Sequence, residues 1–251
     1  MRKLSIIGIG AGNPDYLTVQ AINALKTLDV VFLIDKGSDK SSLTTLRTEI
    51  CGRYILNKSF RIVAAEDPAR DRLPSHYESA VADWHAKRAA IYERMIREEL
   101  ADGQHGAFLV WGDPCLYDST LRIVDQVAAM GTVAFEVEVI PGITSIQALA
   151  ARHKIPINRI GEPVFITTGR RLGDEQPHDT VVMLDGGCAF TAIEDDSVEI
   201  FWGAYLGTDN EILASGRLHE CKDEIQKIKA DARTRHGWIM DTYLLRKTVA
   251  S

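Results

Sequence analysis

The chain has 251 residues, 45% hydrophobic and 25% charged, the proportions of an ordinary folded soluble protein, which exclude a disordered or fibrous class. A formal net charge of -6 argues against a broad nucleic-acid face, and no apolar run approaches the roughly 18 residues that cross a bilayer. The N-terminal stretch is too short and glycine-broken for the apolar core of a signal peptide, so a cytoplasmic protein is expected.

In chain order, "LSIIGIG" (4–10) reads as a buried strand ending in glycines, and "TVQAINALKTLD" (18–29) as a helix with Ala21, Ile22, Leu25 and Leu28 on one face. "VVFLID" (30–35) lacks alternation, as strands covered on both faces do, so the first 35 residues predict a βαβ unit. A short helix near 41–51, a strand at "RIVAA" (61–65) and a helix from about Ser75 to Leu100 follow. The charge of that long helix reads as a solvated face, with Trp84 and Ile91 turned to the core. "GAFLVWG" (106–112) is a strand, 119–131 a helix with Asp118 as N-cap and Gly131 as its stop, and 134–142 another strand.

After a short helix beyond "PGITS" (141–145) the pattern becomes strand-rich: 163–169, 180–186, 198–207 and 211–218, then a charged helix (219–233) and a strand at 237–246. Strands that succeed one another without helices predict a mixed or antiparallel sheet. The fold class is therefore α/β, with a boundary near residue 145 separating an N-terminal unit (1–145) from a C-terminal one (146–251). His153, beside that boundary, reads as a helix end favoured by the negative end of the helix dipole.

"GIGAGNP" (8–14) tempts a dinucleotide reading, since it follows a strand, precedes a helix and is trailed by Asp35. The spacing fails: glycines stand at 8, 10 and 12, Asn13 replaces the last glycine of the fingerprint, and Pro14 occupies the start of the phosphate-facing turn. Either this is a turn that lets strand and helix pack closely, or its backbone approaches a cofactor without phosphates, for which S-adenosylmethionine (SAM) is the better fit. Cys51, Cys115, Cys188 and Cys221 stand far apart, without C-x-x-C, and the seven histidines form no H-E-x-x-H, so no metal site is expected.

"IIGIGAGNPDYLTVQAINALKTLDVVF", "VWGDPCLYDST" and "VIPGITS", in that order and spacing, resemble the tetrapyrrole methylase family of SAM-dependent methyltransferases. "LIDKG", "DPARDR", "TVVMLDGG" and "GWIMDTYLLR" look like the branch of that family that methylates a precorrin with loss of acetate in aerobic cobalamin biosynthesis. The resemblance spans the whole chain. It implies the two-domain class III methyltransferase fold, with a mainly parallel N-terminal sheet, a mixed C-terminal sheet, SAM in a cleft between the domains, and a homodimer.

Position by position, the resemblance puts SAM contacts on Gly10, Ala11, Trp111, Gly112, Asp113, Leu116, Thr144, Ser145, Asp185, Ala204 and Tyr205. Ala11 and Asn13 replace a proline and an aspartate of the family loop, so contact there rests on backbone, and Asp185 replaces a methionine. The methyl transfer is an in-line displacement that needs positioning and exclusion of water rather than a covalent nucleophile. Loss of an acetyl group needs a base within reach of water, and Asp113, Asp118 and Asp35 are candidates, with Tyr117 as a polar partner. Asp113 can equally cap backbone amides beside Pro114, and Asp118 an N-terminus.

The carboxylates of a tetrapyrrole call for guanidinium forks, expected from Arg70 and Arg72, then Arg122 and Lys36, each of which could instead form a surface ion pair. Competing readings are a methyltransferase of the same fold with another precorrin, uroporphyrinogen, diphthamide or ribosomal RNA as acceptor, a nucleotide-dependent oxidoreductase, or a non-catalytic SAM-binding protein. The acidic balance disfavours RNA and membrane partners.

Overall fold

The computed structural model describes residues 1–35, 41–56, 59–69, 77–173 and 178–248. The chain divides into two compact units, one of Met1–Gly10 with Pro14–Ile143, the other of Ala11–Asn13 with Thr144–Ser251.

The first unit alternates β1 (Arg2–Gly8), α1 (Val19–Leu25), β2 (Val30–Asp35), α2 (Ser41–Tyr54), β3 (Arg61–Glu66), α3 (Tyr77–Glu99), β4 (His105–Val110), α4 (Thr120–Met130) and β5 (Phe135–Ile140). The sheet is parallel throughout, in the order β3-β2-β4-β1-β5. Side chains alternate across each strand. Leu4, Ile6, Phe32 and Phe108 therefore pack against Tyr92 and Ile96 of α3 and Ile123 and Val127 of α4. Ile7, Val31, Leu33 and Leu109 point the other way, toward Leu25 of α1 and Ile50 of α2. Covering both faces is what removes polar alternation from these strands, and all six residues of β4 are buried. At the edge, β5 leaves Val137 and Val139 exposed among glutamates, and Lys3 pairs with Glu138 at 2.8 Å. Charge on an edge strand discourages pairing with other chains.

The start of α1 agrees with the sequence reading, and that of α4 differs from it by one residue. A 3-10 turn at Pro14–Tyr16 intervenes before α1, which begins only after Thr18, whose hydroxyl accepts the Ala21 amide at 3.1 Å. The glycine loop thus opens no helix directly. The cap residue of α4 is Ser119 rather than Asp118, yet Asp118 supplies the capping oxygen, accepting the Thr120 amide at 2.7 Å. Gly131, left-handed at φ 67°, ends α4.

The second unit runs α5 (Ser145–His153), β6 (Val164–Thr168), β7 (Asp179–Met183), β8 (Val198–Ala204), β9 (Ile212–Arg217), α6 (Leu218–His236) and β10 (Asp241–Lys247). Its sheet, in the order β6-β7-β10-β8-β9, is mixed as expected: β6 and β7 are parallel and the other pairings antiparallel. One face, with Ile200, Trp202 and Tyr243, packs on Leu218, Ile225 and Ala232 of α6. The other meets α5, where Ile146 and Leu149 lie against Val181 and Leu244. His153 is not only a helix end, since its Nε2 lies 3.0 Å from the Trp202 carbonyl oxygen.

The cysteines are free thiols. Among the described residues no helix is long and apolar enough to cross a membrane.

Candidate active site

In open parallel sheets ligands sit beyond the carboxyl ends of the strands. There, in the first unit, three glycines bring β1, β4 and β5 into backbone contact. A Cβ on Gly142 would lie 2.1 Å from the Gly112 carbonyl oxygen, and one on Gly8 2.6 Å from the Gly142 nitrogen, closer than real atoms approach. Past these strand ends Gly10 and Gly112 form a bridge, Gly112 N donating to Gly10 O at 2.8 Å and Gly10 N to Gly112 O at 3.3 Å. The glycine loop is therefore stitched to the loop after β4, and α1 begins only at Val19, past an intervening 3-10 turn.

Asp113 completes this seam. Its Oδ1 accepts the Cys115 amide at 2.7 Å and its Oδ2 the Gly142 amide at 2.8 Å. Both oxygens hold backbone, as the capping alternative expects. Trp111 is half-buried against the core face of α1 and α2. The Leu116 amide closes the turn onto the Asp113 carbonyl at 3.3 Å. Tyr117 is exposed, with a left-handed backbone at φ 51°, a conformation costly enough outside glycine to draw attention to the loop.

Asp35 ends β2, exposed, with its carbonyl accepting the Asp67 amide at 2.8 Å. Arg122 is exposed on α4, and Lys36, Arg70 and Arg72 lie outside the described residues. The long-helix expectation needs correction. Ile91 packs against the core as expected and Trp84 is half-buried, whereas Arg88, read as part of a solvated face, is buried with its guanidinium 4.5 Å from the Trp84 ring centre. The signal was available: Arg88 stands one helical turn from both Trp84 and Tyr92, on the apolar face.

In the second unit Ala11 is buried. Thr144 caps α5, its hydroxyl oxygen accepting the Ile146 amide at 3.2 Å, and Ser145 Oγ accepts from Thr242 Oγ1 at 2.8 Å. Ala204 ends β8, fully buried opposite Asp241 and Ile212.

Asp185 and Tyr205 are both buried, and their side chains bond within the second unit. Asp185 is 4% exposed; Oδ1 accepts the Gly187 amide at 3.0 Å, and Oδ2 accepts the Ala189 amide and the Tyr243 hydroxyl, both at 2.7 Å. Lys229 donates to the Asp185 carbonyl and pairs with Asp241 at 2.8 Å, while Trp202 Nε1 donates to the same Asp241 oxygen at 2.9 Å. Burial pushes the Asp241 carboxyl up, with Lys229 opposing it, and burial with Asp185 pushes the Tyr243 hydroxyl up. The apolar side chain turned outward at this strand end is Leu184, left-handed at φ 54° and 57% exposed. Tyr205 buries its ring in the core and donates its hydroxyl to the Trp238 carbonyl. No sequence signal separated Leu184 from Asp185, because only the backbone reversal decides which one faces inward.

Comparison with known proteins identifies relatives of the chain. The family model for tetrapyrrole (corrin/porphyrin) methylases matches residues 3–222. A precorrin-6A synthase [deacetylating] of Sinorhizobium sp is 55% identical over 250 residues, 98% of this chain and 96% of that protein. The crystal structure of a cobalamin synthesis related protein (CobF) of Corynebacterium diphtheriae superposes with a TM-score of 0.85 at 42% identity, covering 98% of this chain and 99% of that one. A uroporphyrin-III C-methyltransferase of Thermus thermophilus, solved with S-adenosyl homocysteine, shares the fold at a TM-score of 0.58 and 17% identity, covering 97% and 92%. With a parallel and a mixed sheet, bare glycine backbone at the strand ends and a match across most of its length, the chain belongs to the tetrapyrrole (corrin/porphyrin) methylase family.

Proposed function

We propose that the protein is a SAM-dependent C-methyltransferase that converts precorrin-5 to precorrin-6A with release of acetate, in cobalamin biosynthesis. The observation that carries this reading is the 55% identity, over 98% of the chain, to a deacetylating precorrin-6A synthase.

SAM supplies a methyl group on a positively charged sulfonium. The first-unit strand ends suit such a ligand: left-handed Gly10 and Gly112 leave bare backbone there, and α1 begins only at Val19, past the glycine loop. Gly10, Gly112 and the Asp113 turn are proposed to bind and orient the donor, with Trp111 and Leu116 limiting access of water. Thr144, Ser145 and the backbone at Asp185, Ala204 and Tyr205 are proposed contacts of the second unit. A cytoplasmic homodimer belongs to the same proposal, and light scattering of the purified chain checks the oligomer.

Incubation with precorrin-5 and methyl-labelled SAM tests the reading. The expected result is labelled precorrin-6A with one acetate per methyl transferred. Methylation without acetate would move the protein to a sister reaction, and binding of a dinucleotide in place of SAM would overturn the methyltransferase itself.

A further inference from the structure

In the second unit the carboxyl ends of β6 and β7 carry a feature that the candidate site leaves unused. These two strands are the parallel pair of their sheet, and ligands of α/β sheets gather beyond the carboxyl ends of parallel strands. Their register sets Thr168 beside Met183, so the 3-10 turn Gly169–Arg171 after β6 and the turn at Leu184 and Asp185 after β7 leave the sheet side by side. Gly169 fixes that closeness: a Cβ added to it would lie 2.7 Å from the Asp185 Cβ, nearer than real atoms approach. The Leu172 amide closes the 3-10 turn onto the Gly169 carbonyl at 3.4 Å, and Leu172 packs against the core, which ties down the far end of the turn.

Leu184 is 57% exposed at φ 54°, a left-handed backbone that glycine takes without cost and leucine does not. Glycine was at hand, since Gly186 and Gly187 follow, and neither of them has a positive φ. Strain of this kind lasts only where neighbouring structure over-determines it. Asp185 does so here: its carboxylate accepts the Tyr243 hydroxyl and the Ala189 amide, and its carbonyl accepts from Lys229. An apolar side chain is thus held out into solvent on a strained backbone, which core packing does not require. In the neighbouring turn Arg171 is exposed and makes no hydrogen bond or ion pair among the described residues.

We propose that Leu184 and Arg171 bind the methyl acceptor, Leu184 against a pyrrole ring of the tetrapyrrole and the Arg171 guanidinium on one of its rim carboxylates. The proposal rests on the precorrin methyltransferase reading above. A tetrapyrrole is a largely apolar ring system with acetate and propionate side chains on its rim, so it offers both partners at once. A leucine supplies shape without charge, and a guanidinium fork takes a carboxylate through two parallel hydrogen bonds. Both residues are set on Asp185, Leu184 as its neighbour in the chain and Arg171 in the turn seated against it, so one buried carboxylate holds the pair in register. An acceptor without a carboxylate at that rim position leaves the fork unpaired and binds more weakly.

The test uses the full chain, with initial rates over a range of precorrin-5 at saturating methyl-labelled SAM, and calorimetry with SAM on the same samples. Arg171→Ala should raise the KM for precorrin-5 by at least about tenfold, with kcat and SAM affinity within about twofold, since one charge-assisted bidentate contact is lost. Arg171→Lys should recover only part of that, because an ammonium lacks the fork. Added salt should raise the KM of wild type and change that of Arg171→Ala less. Leu184→Gly should also raise KM yet melt no lower than wild type, because the left-handed strain goes with the side chain. A leucine kept for stability alone would give the reverse, a lower melting temperature and an unchanged KM. Unchanged KM in both Arg171→Ala and Leu184→Gly, or loss of SAM affinity at unchanged KM for precorrin-5, would overturn the acceptor contact and leave the methyl transfer standing. A wild-type enzyme that leaves precorrin-5 unmethylated would overturn both.

Discussion

Asp113 joins two strand ends that are far apart in sequence, with Oδ2 taking the Gly142 amide at 2.8 Å while Oδ1 takes the Cys115 amide at 2.7 Å. An Asp113→Asn enzyme keeps the shape but turns one acceptor into a donor facing an N–H. Loss of a partly buried, charge-assisted hydrogen bond of this kind costs about 1–2 kcal/mol, so the urea midpoint should fall accordingly. SAM affinity should drop with it, because the Gly10–Gly112 seam loosens. If Asp113 acts only as a cap, the pH dependence of acetate release should keep its shape. A vanished acidic limb in Asp113→Asn would reverse that assignment.

Gly142 is sensitive for a reason independent of charge. The nearest atoms to an added Cβ are backbone, the Gly112 oxygen at 2.1 Å and the Gly8 carbonyl carbon at 2.8 Å, and backbone cannot rotate out of the way as a side-chain tip can. Gly142→Ala should therefore force β1, β4 and β5 apart at their carboxyl ends, at a cost in the range of about 1–3 kcal/mol for overpacking. Gly52, which has open space around it, is the control: Gly52→Ala in α2 should be neutral or slightly stabilising. Chemical denaturation of both variants checks the contrast.

Much of the first unit was readable because its physics is local. Strands buried on both faces become unbroken apolar runs, as in "VVFLID" and "GAFLV", and Gly131 stops α4 where it stands in the sequence. The glycine seam was half-legible: Gly8, Gly112 and Gly142 each fall in one of the recognisable fragments, but only the register of β1 with β4 and β5 shows that they touch. Asp185 and Leu184 were not separable, since adjacent residues at a strand end exchange faces with one backbone dihedral. Arg88 escaped for a different reason. Charged residues on helices are usually solvated, and only its spacing of one turn from Trp84 and Tyr92 marks it as buried.

The Lys229–Asp241 pair offers a sharper energetic test, because both side chains are almost fully buried, at 6% and 5% exposure. Lys229→Met leaves Asp241 buried with only the Trp202 indole N–H as a remaining partner among the described residues, and removing one member of such a pair typically costs about 3–5 kcal/mol. Lys229→Met with Asp241→Asn should recover part of that loss, since the stranded charge is gone. The double-mutant cycle by urea denaturation should thus show strong coupling. The Asp185 carbonyl also loses its Lys229 donor, so the single variant should weaken SAM if the β7 end forms part of its site.

The end of β10 carries a pH-dependent contribution with a defined sign. Lys247 pairs with Asp195 at 2.8 Å, and Ser197 donates its amide at 2.9 Å and its hydroxyl at 2.6 Å to Asp195 Oδ1. The Lys247 contact first, and then the serine bonds, hold the Asp195 carboxyl down at about 2, against an ordinary 3.8. A carboxyl whose value is lower in the folded than in the unfolded state stabilises the fold above the unfolded value, and that contribution fades as pH falls through the folded one. The window is therefore about pH 4 to 2. Asp195→Asn should melt below wild type at neutral pH, with the gap closing across this window. Because the group is solvent-facing, added salt should also narrow the gap. A difference in melting temperature that stays constant from neutral pH to pH 2 would mean that the serine contacts, rather than the charge, hold this strand end in place.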